Sequence, residues 1–208
     1  NTLRHLIENL NEDTLNKVKF YGIELSLSRT KISKKHLPMC NLVVGDMNNL
    51  PFSDNSFDIV YTASAIEPNI NNEELILKEI YRICKHNIIL FEISYKEATI
   101  EVKKRFDEHI YVKYLYETIK VLNYNLISYK ELQTTKTYNN YLYFIKKSDI
   151  NSDKLEVRYI SPIFNDNLDL VTYDNSKYYK SKNLNLYFPI IDNIPIFLIE
   201  NSIIISNN

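Results

Sequence analysis

Leu50-Pro51-Phe52-Ser53-Asp54-Asn55-Ser56-Phe57-Asp58-Ile59-Val60-Tyr61 is the stretch from which the fold can be read. Its first half is punctuation: Pro51 fixes its own φ, and Ser53, Asp54 and Asn55 are turn formers. Its second half, residues 56–62, is too short and too apolar for a surface helix and reads as a strand. Working outward, residues 41–44 and 19–25 read as two earlier strands, the first of them closed by Gly45 and Asp46. A polar, basic helix over 27–36, ended by Pro38, separates them. Upstream, Leu3, Leu6, Ile7 and Leu10 follow i, i+3, i+4, i+7 spacing and predict a helix from about Thr2. Downstream, Ile76, Ile80 and Ile83 return at helical spacing over 72–84, and residues 87–93 form a continuous apolar strand of the buried kind. One long amphipathic helix is predicted over 96–122, with Phe106, Ile110, Leu115, Ile119 and Leu122 on its buried side. Two strands, 124–131 and 138–146, follow with no helix between them. Such alternation requires right-handed crossovers and an α/β fold, with a mostly parallel sheet, helices on both faces and the last strand antiparallel. Sheets of this kind bind ligands beyond the carboxyl ends of their strands.

Composition narrows the function. Of 208 residues 45% are hydrophobic and 25% charged, which is the range of folded soluble chains. A net charge of -1 offers no general attraction for nucleic acid or anionic membranes. Arg29, Lys31, Lys34, Lys35 and His36 form the one notable basic run, read as a solvated helix face, with contact to a phosphate-bearing substrate as the alternative. Cys40 and Cys84 lack partners at zinc-ligand spacing and read as buried thiols of a reduced cytoplasm, so no metal is expected. No apolar run approaches the roughly 20 residues needed to span a bilayer. A cytoplasmic protein without membrane contact is the expectation. The chain opens at Asn1 and holds only Gly22 and Gly45 as glycines, so a segment upstream is expected to be missing.

Glu24 stands at the carboxyl end of Phe20-Tyr21-Gly22-Ile23-Glu24-Leu25-Ser26, where a carboxylate can accept two hydrogen bonds from a ribose diol. An exposed strand-end acid would look the same. Asp46 could accept from an exocyclic adenine amine while Met47 lies against the ring, although Gly45-Asp46 is also a common turn.

Taken with residues 21–26, the stretch 50–61 resembles the segment of class I S-adenosylmethionine (SAM)-dependent methyltransferases in which an acidic turn, a Leu-Pro-Phe and a Ser-Phe-Asp lead into the fourth strand. The resemblance covers residues 1–147. It implies a Rossmann-like sheet in which Glu24, with Leu25 beside it, holds the ribose hydroxyls, Asp46 and Met47 hold the adenine, and Thr62 and Ala63 line the cofactor from the fourth strand. In that family the first strand ends in a glycine-rich loop. Asn1-Thr2-Leu3-Arg4-His5-Leu6 is similar to the start of the helix after it, which implies that the first strand and the loop are the missing part. The methyl acceptor would lie over residues 64–69. Glu67 and Glu92 are the base candidates, each as readily explained by a structural hydrogen bond. His109 sits on the helix that in this family often covers the acceptor pocket, where a surface histidine is the plainer account.

Residues 148–154 read as a polar linker and 155–208 as a small β-rich tail punctuated by Pro162, Pro189 and Pro195. Ser161-Pro162, with Tyr187-Phe188-Pro189-Ile190-Ile191-Asp192-Asn193-Ile194-Pro195, resembles the zinc-ribbon-like domain that activates or extends some methyltransferases, but Ser161 and Phe164 stand at the cysteine positions. A packing or subunit-contact role is expected for the tail, including a homo-oligomer contact. Methyl transfer from SAM to a small-molecule acceptor is the leading reading. Methylation of RNA or protein, and a non-catalytic interaction module with this fold, remain open beside it.

Overall fold

The computed structural model describes residues 2–132, 140–147, 156–183 and 185–205. In chain order the elements are α1 (Thr2–Glu8), α2 (Glu12–Leu15), β1 (Tyr21–Glu24), α3 (Leu27–His36), β2 (Asn41–Val44), β3 (Phe57–Ala63), α4 (Glu73–Ile83), β4 (Cys84–Ile93), α5 (Ile100–His109), α6 (Leu115–Val121), β5 (Leu126–Glu131), β6 (Asn140–Lys146), β7 (Leu168–Tyr173), β8 (Ser176–Ser181), β9 (Leu186–Ile191), β10 (Ile194–Pro195), a 3-10 turn (Ile199–Asn201) and β11 (Ile203–Ile204). The chain divides into two compact units, one of Asn1–Ser53 with Arg158–Asn208 and one of Asp54–Val157. The expected tail thus shares a unit with the first strands, and the expected linker, 148–154, lies outside the described residues.

In the first unit β1 and β2 pair in parallel, with Glu24 opposite Val44. Ser26 caps α3, its hydroxyl accepting from the Arg29 N–H, and the carboxyl end of β1 is thereby turned straight into a helix. Three members of the basic run are held by the protein: Arg29 by Glu24 at 2.9 Å, Lys31 by Asp192 at 2.7 Å and Lys34 by the Cys40 carbonyl at 2.6 Å. The tail forms an antiparallel sheet in the order β10-β9-β8-β7, with β11 also on β9. It reaches β2 through a parallel bridge between Ile196 and Val44, and Val44, Ile194 and Ile196 form a buried cluster flanked by Leu27 and Leu198.

The second unit holds a four-stranded sheet in the order β3-β4-β6-β5, with β3 parallel to β4 and β6 antiparallel to both β4 and β5. The antiparallel last strand expected from the sequence is β6. Alternate residues of β4 are buried, Ile88, Leu90 and Glu92 among them, and α4 packs on β3, β4 and α6. Lys147 closes the far end, its ammonium donating to Asn55 Oδ1 and to the carbonyls of Tyr81 and Cys84.

Two expectations need correction. The parallel pairs β1–β2 and β3–β4 belong to separate sheets among the described residues, not to one continuous sheet. The long helix expected over 96–122 is two helices. Thr99 caps the first by accepting from Val102 N–H, and Ile110 ends it in the left-handed region at φ 55°, with its N–H on the Phe106 carbonyl. Tyr111 N–H donates to the same carbonyl, a closure that leaves no continuing helical bond. Ile110, expected on the buried side, is 61% exposed, whereas Phe106, Leu115 and Ile119 are buried as expected.

Turns throughout the chain rely on asparagine. Asn55, Asn71, Asn123, Asn165, Asn175, Asn185 and Asn193 all have positive φ, and neither glycine does. In the tail, Ser161 Oγ accepts from Ile163 and Phe164 N–H, while Asp166 accepts from the Ser181 hydroxyl at 2.9 Å and from Lys182 N–H. Ser161 and Ser181 are both fully buried. Among the described residues no cluster of three or more His, Cys, Asp or Glu could hold a metal. Asp166 is therefore the polar tie between the turn after Ile160 and the end of β8. Asp166→Ala removes the carboxylate that accepts from the Ser181 hydroxyl and from Lys182 N–H, leaving the buried hydroxyl the Asn183 backbone alone, and urea unfolding should report a loss of about 1–3 kcal/mol; an unchanged midpoint would remove this tie from the account of the tail.

Candidate active site

In the first unit the site is built at the carboxyl ends of β1 and β2. Glu24, partly exposed, accepts from Ser26 N–H at 3.0 Å and from Arg29 at 2.9 Å, both on Oε1, and among the described residues Oε2 has no hydrogen-bond donor. Leu25 follows it, 57% exposed. Gly45 N–H donates to the Glu24 carbonyl at 3.1 Å, continuing the pairing of the two strands into the turn. Gly45 does not take positive φ, and a Cβ on it would stand 2.8 Å from Ile23 Cδ1, the movable end of that side chain. Asp46 Oδ1 accepts from both the backbone and the side-chain amide of Asn48, each at 2.8 Å. Met47 lies next in the turn, partly buried. A cleft opens at this end of the strands, lined by Leu25, Asp46 and Asn49 together with Pro162, Phe197 and residues 198–200. An exposed leucine and a carboxylate on a cleft, with the Glu24 carboxylate one residue before that leucine, are groups that could face the adenosyl half of a nucleoside cofactor.

In the second unit the site is built after β3 and at the end of β4. Thr62 is buried and Ala63 half-buried. Ser64 takes φ 49°, its N–H donating to the Phe91 carbonyl at 2.9 Å. A non-glycine residue in that region is uncommon and holds only where neighbouring bonds determine it. Those bonds come from Glu92, whose Oε1 accepts from Ala65 N–H at 3.1 Å and Oε2 from Ile66 N–H at 3.2 Å. The Thr62 hydroxyl stands near enough to the same carboxylate to favour its ionised form, yet falls short of hydrogen-bond geometry. Burial still dominates, and with the neighbouring Glu67 charge it pushes Glu92 up to about 7. Glu67 itself is raised by burial, with the Arg105 charge pulling it back. Its Oε2 is buried without a hydrogen-bond partner, which suits a group kept for a proton or a ligand. Val112 N–H donates to the Glu67 carbonyl at 2.8 Å, drawing the α5–α6 connection onto this loop. His109 is exposed at the last position of α5 and stacks on Tyr111 at 5.4 Å.

The second unit thus brings Glu67 and Glu92 together, with Arg105 near Glu67 and His109 on the same helix as Arg105. The sequence reading missed Arg105, although its i, i+4 spacing from His109 was visible. It also missed residues 197–200, for which nothing in the spacing of the tail pointed to the first unit's cleft.

Residues 6–91 match the family model described as a methyltransferase domain. A SAM-dependent methyltransferase from Aquifex aeolicus superposes with TM-score 0.50 at 15% identity, covering 69% of this chain and 74% of that one. The fold is that of SAM-dependent methyltransferases. The cyclase SpnF shares this methyltransferase-like fold, with TM-score 0.52 at 12% identity over 65% of this chain and 70% of its own, so the fold by itself does not settle the reaction. Among curated relatives, a demethylmenaquinone methyltransferase of Thermotoga maritima is 31% identical over 96 residues, 45% of this chain and 39% of that protein. The chain spans between 27% and 39% of the length of the curated relatives it matches.

The Glu92 carboxyl sets a pH dependence. Its folded pKa of about 7 lies above the ordinary 4.5, so between these values the folded chain holds a proton that the unfolded chain has released. Stability therefore falls as pH rises from about 4.5 to 7, by an amount on the order of 3 kcal/mol. Glu92→Gln should flatten that slope in urea unfolding followed across the window; an equally steep profile would place the titrating group elsewhere.

Proposed function

We propose that this chain carries most of a domain that transfers a methyl group from SAM to a small-molecule acceptor. In this reading residues 1–147 are the methyltransferase domain, in its whole form a mostly parallel sheet with helices on both faces. Residues 148–154 are a linker, and 155–208 are a β-rich unit related to zinc-ribbon-like domains but without their metal ligands. The observation that carries the proposal is the placing of carboxylates at the carboxyl ends of parallel strands: Glu24 at the end of β1 and Asp46 after β2 in the first unit, half-buried Glu67 after β3 and buried Glu92 near the end of β4 in the second.

Bound SAM supplies an electrophilic methyl group on a sulfonium. The chain's own groups bind and orient. Glu24 offers Oε2 to the ribose hydroxyls, a charge-assisted pairing. Leu25 and Met47 pack on the adenosine, and Asp46 accepts from the adenine amine. Glu67, with a raised proton affinity and one buried oxygen unengaged, takes the acceptor's proton. Glu92 positions Glu67 by gripping the two residues before it. His109 stands at the rim of the acceptor pocket. The name of the Thermotoga maritima relative supports an acceptor of the quinone class, whose reduced quinol form, supplied as such, carries the acidic hydroxyl that a carboxylate base can deprotonate.

Two measurements on the full-length protein test this. Calorimetry with S-adenosylhomocysteine should show Glu24→Ala weaker by about 1–3 kcal/mol; equal affinity would take Glu24 out of the site. With labelled SAM and a 1,4-naphthoquinol as acceptor, Glu67→Gln should keep cofactor affinity and lower turnover roughly 100-fold or more. Wild-type turnover should rise with pH through a pKa above the ordinary carboxylate range. If Glu67→Gln and Glu92→Gln both react at the wild-type rate, no carboxylate base operates.

A further inference from the structure

The tail arrives at β2 in a defined direction. Ile196 bridges Val44 in parallel, and Phe197 N–H donates to the Val44 carbonyl at 2.8 Å. A chain parallel to β2 leaves it at the same end that β2 itself ends, so residues 198–200 emerge beside the turn carrying Asp46 and the Leu25 end of β1. They line one side of the cleft there, with Leu25 and Asp46 on the other and Pro162 beside them. Apolar groups on both sides remain in part unsatisfied by the protein: Leu25 is 57% and Ile199 50% exposed. Asp46 and Glu200 stand among the lining residues as hydrogen-bond acceptors. Two apolar sides with acceptors beside them match the faces and the exocyclic amine of an aromatic base, and adenine is such a base. The tail is also fastened where it must be rigid, by the cluster of Val44, Ile194 and Ile196 with Leu198 packed against it, and by the 2.7 Å pair of Lys31 with Asp192.

We infer that Leu198 and Ile199 form the second wall of the adenine pocket, which makes the C-terminal tail a cofactor-binding element. This rests on the methyltransferase reading above. The added content is that part of the nucleoside site is supplied by residues more than a hundred positions beyond the segment that matches the family.

The experiment is calorimetry of S-adenosylhomocysteine on the full-length protein, with Ile199→Asp and Ile199→Leu compared with wild type. Ile199 is half-exposed, so neither change should alter the melting temperature of the unliganded protein. Ile199→Asp should bind about tenfold more weakly, since a carboxylate would replace apolar contact with the ring, while Ile199→Leu should bind within about twofold of wild type. Hydrogen exchange should show the amides of residues 197–201 protected by S-adenosylhomocysteine. If wild type binds and Ile199→Asp binds as well or better, without protection of these amides, the wall is refuted while the methyltransferase reading stands. If wild type does not bind at all, that reading falls and takes the wall with it.

Discussion

Val44 is held from both sides, and the first unit depends on that. A pair of four-residue parallel strands is too small to persist in water. β1 gives β2 one neighbour; the tail gives it another through the Val44–Ile196 bridge and the Phe197 N–H. Val44 is 1% exposed as a result. The same arrangement protects an edge that would otherwise offer unpaired backbone groups to another chain. It also accounts for the grouping of the tail with the amino-terminal residues in one compact unit.

In the second unit the corresponding constraint is a buried carboxylate whose two oxygens both bind backbone. Glu92 stabilises the turn at Ser64, a residue in an uncommon conformation, and so fixes where Glu67 lies. The arrangement costs stability, because a charge in that environment lacks the hydration it would have in water. It also couples the two carboxyls, since the charge of one raises the proton affinity of the other. A pair of acids with unequal surroundings is the ordinary means of keeping one protonated or basic near neutral pH.

Much of this was legible in the residues. The helix over 27–36 and the strand over 41–44 fall where the spacing and punctuation put them, because a serine cap, a proline stop and a short branched run act locally. The break between α5 and α6 was not legible. Apolar spacing continues through Ile110 and Leu115 without a glycine or proline, and the interruption comes from an isoleucine in a left-handed conformation and from Val112 bonding to the distant Glu67 carbonyl. Of the candidate site, Glu24 and Asp46 could be located from their strand ends, whereas the dual grip of Glu92 on Ala65 and Ile66 depends on pairing between strands that no local pattern encodes. The role of the tail at the cleft follows from the direction of one bridge, which only the folded chain displays.

The asparagines at positive φ bear on the state that the fold is measured against. Glycine would adopt those turns with less strain, but it would also leave the denatured chain freer at each of them. Seven asparagines in that conformation among the described residues, in a chain with two glycines, exchange a modest local strain for a less disordered unfolded ensemble. The turns thus act on stability through the denatured chain as well as through the native one, and exchanging them for glycine would trade relief of local strain against a freer unfolded ensemble.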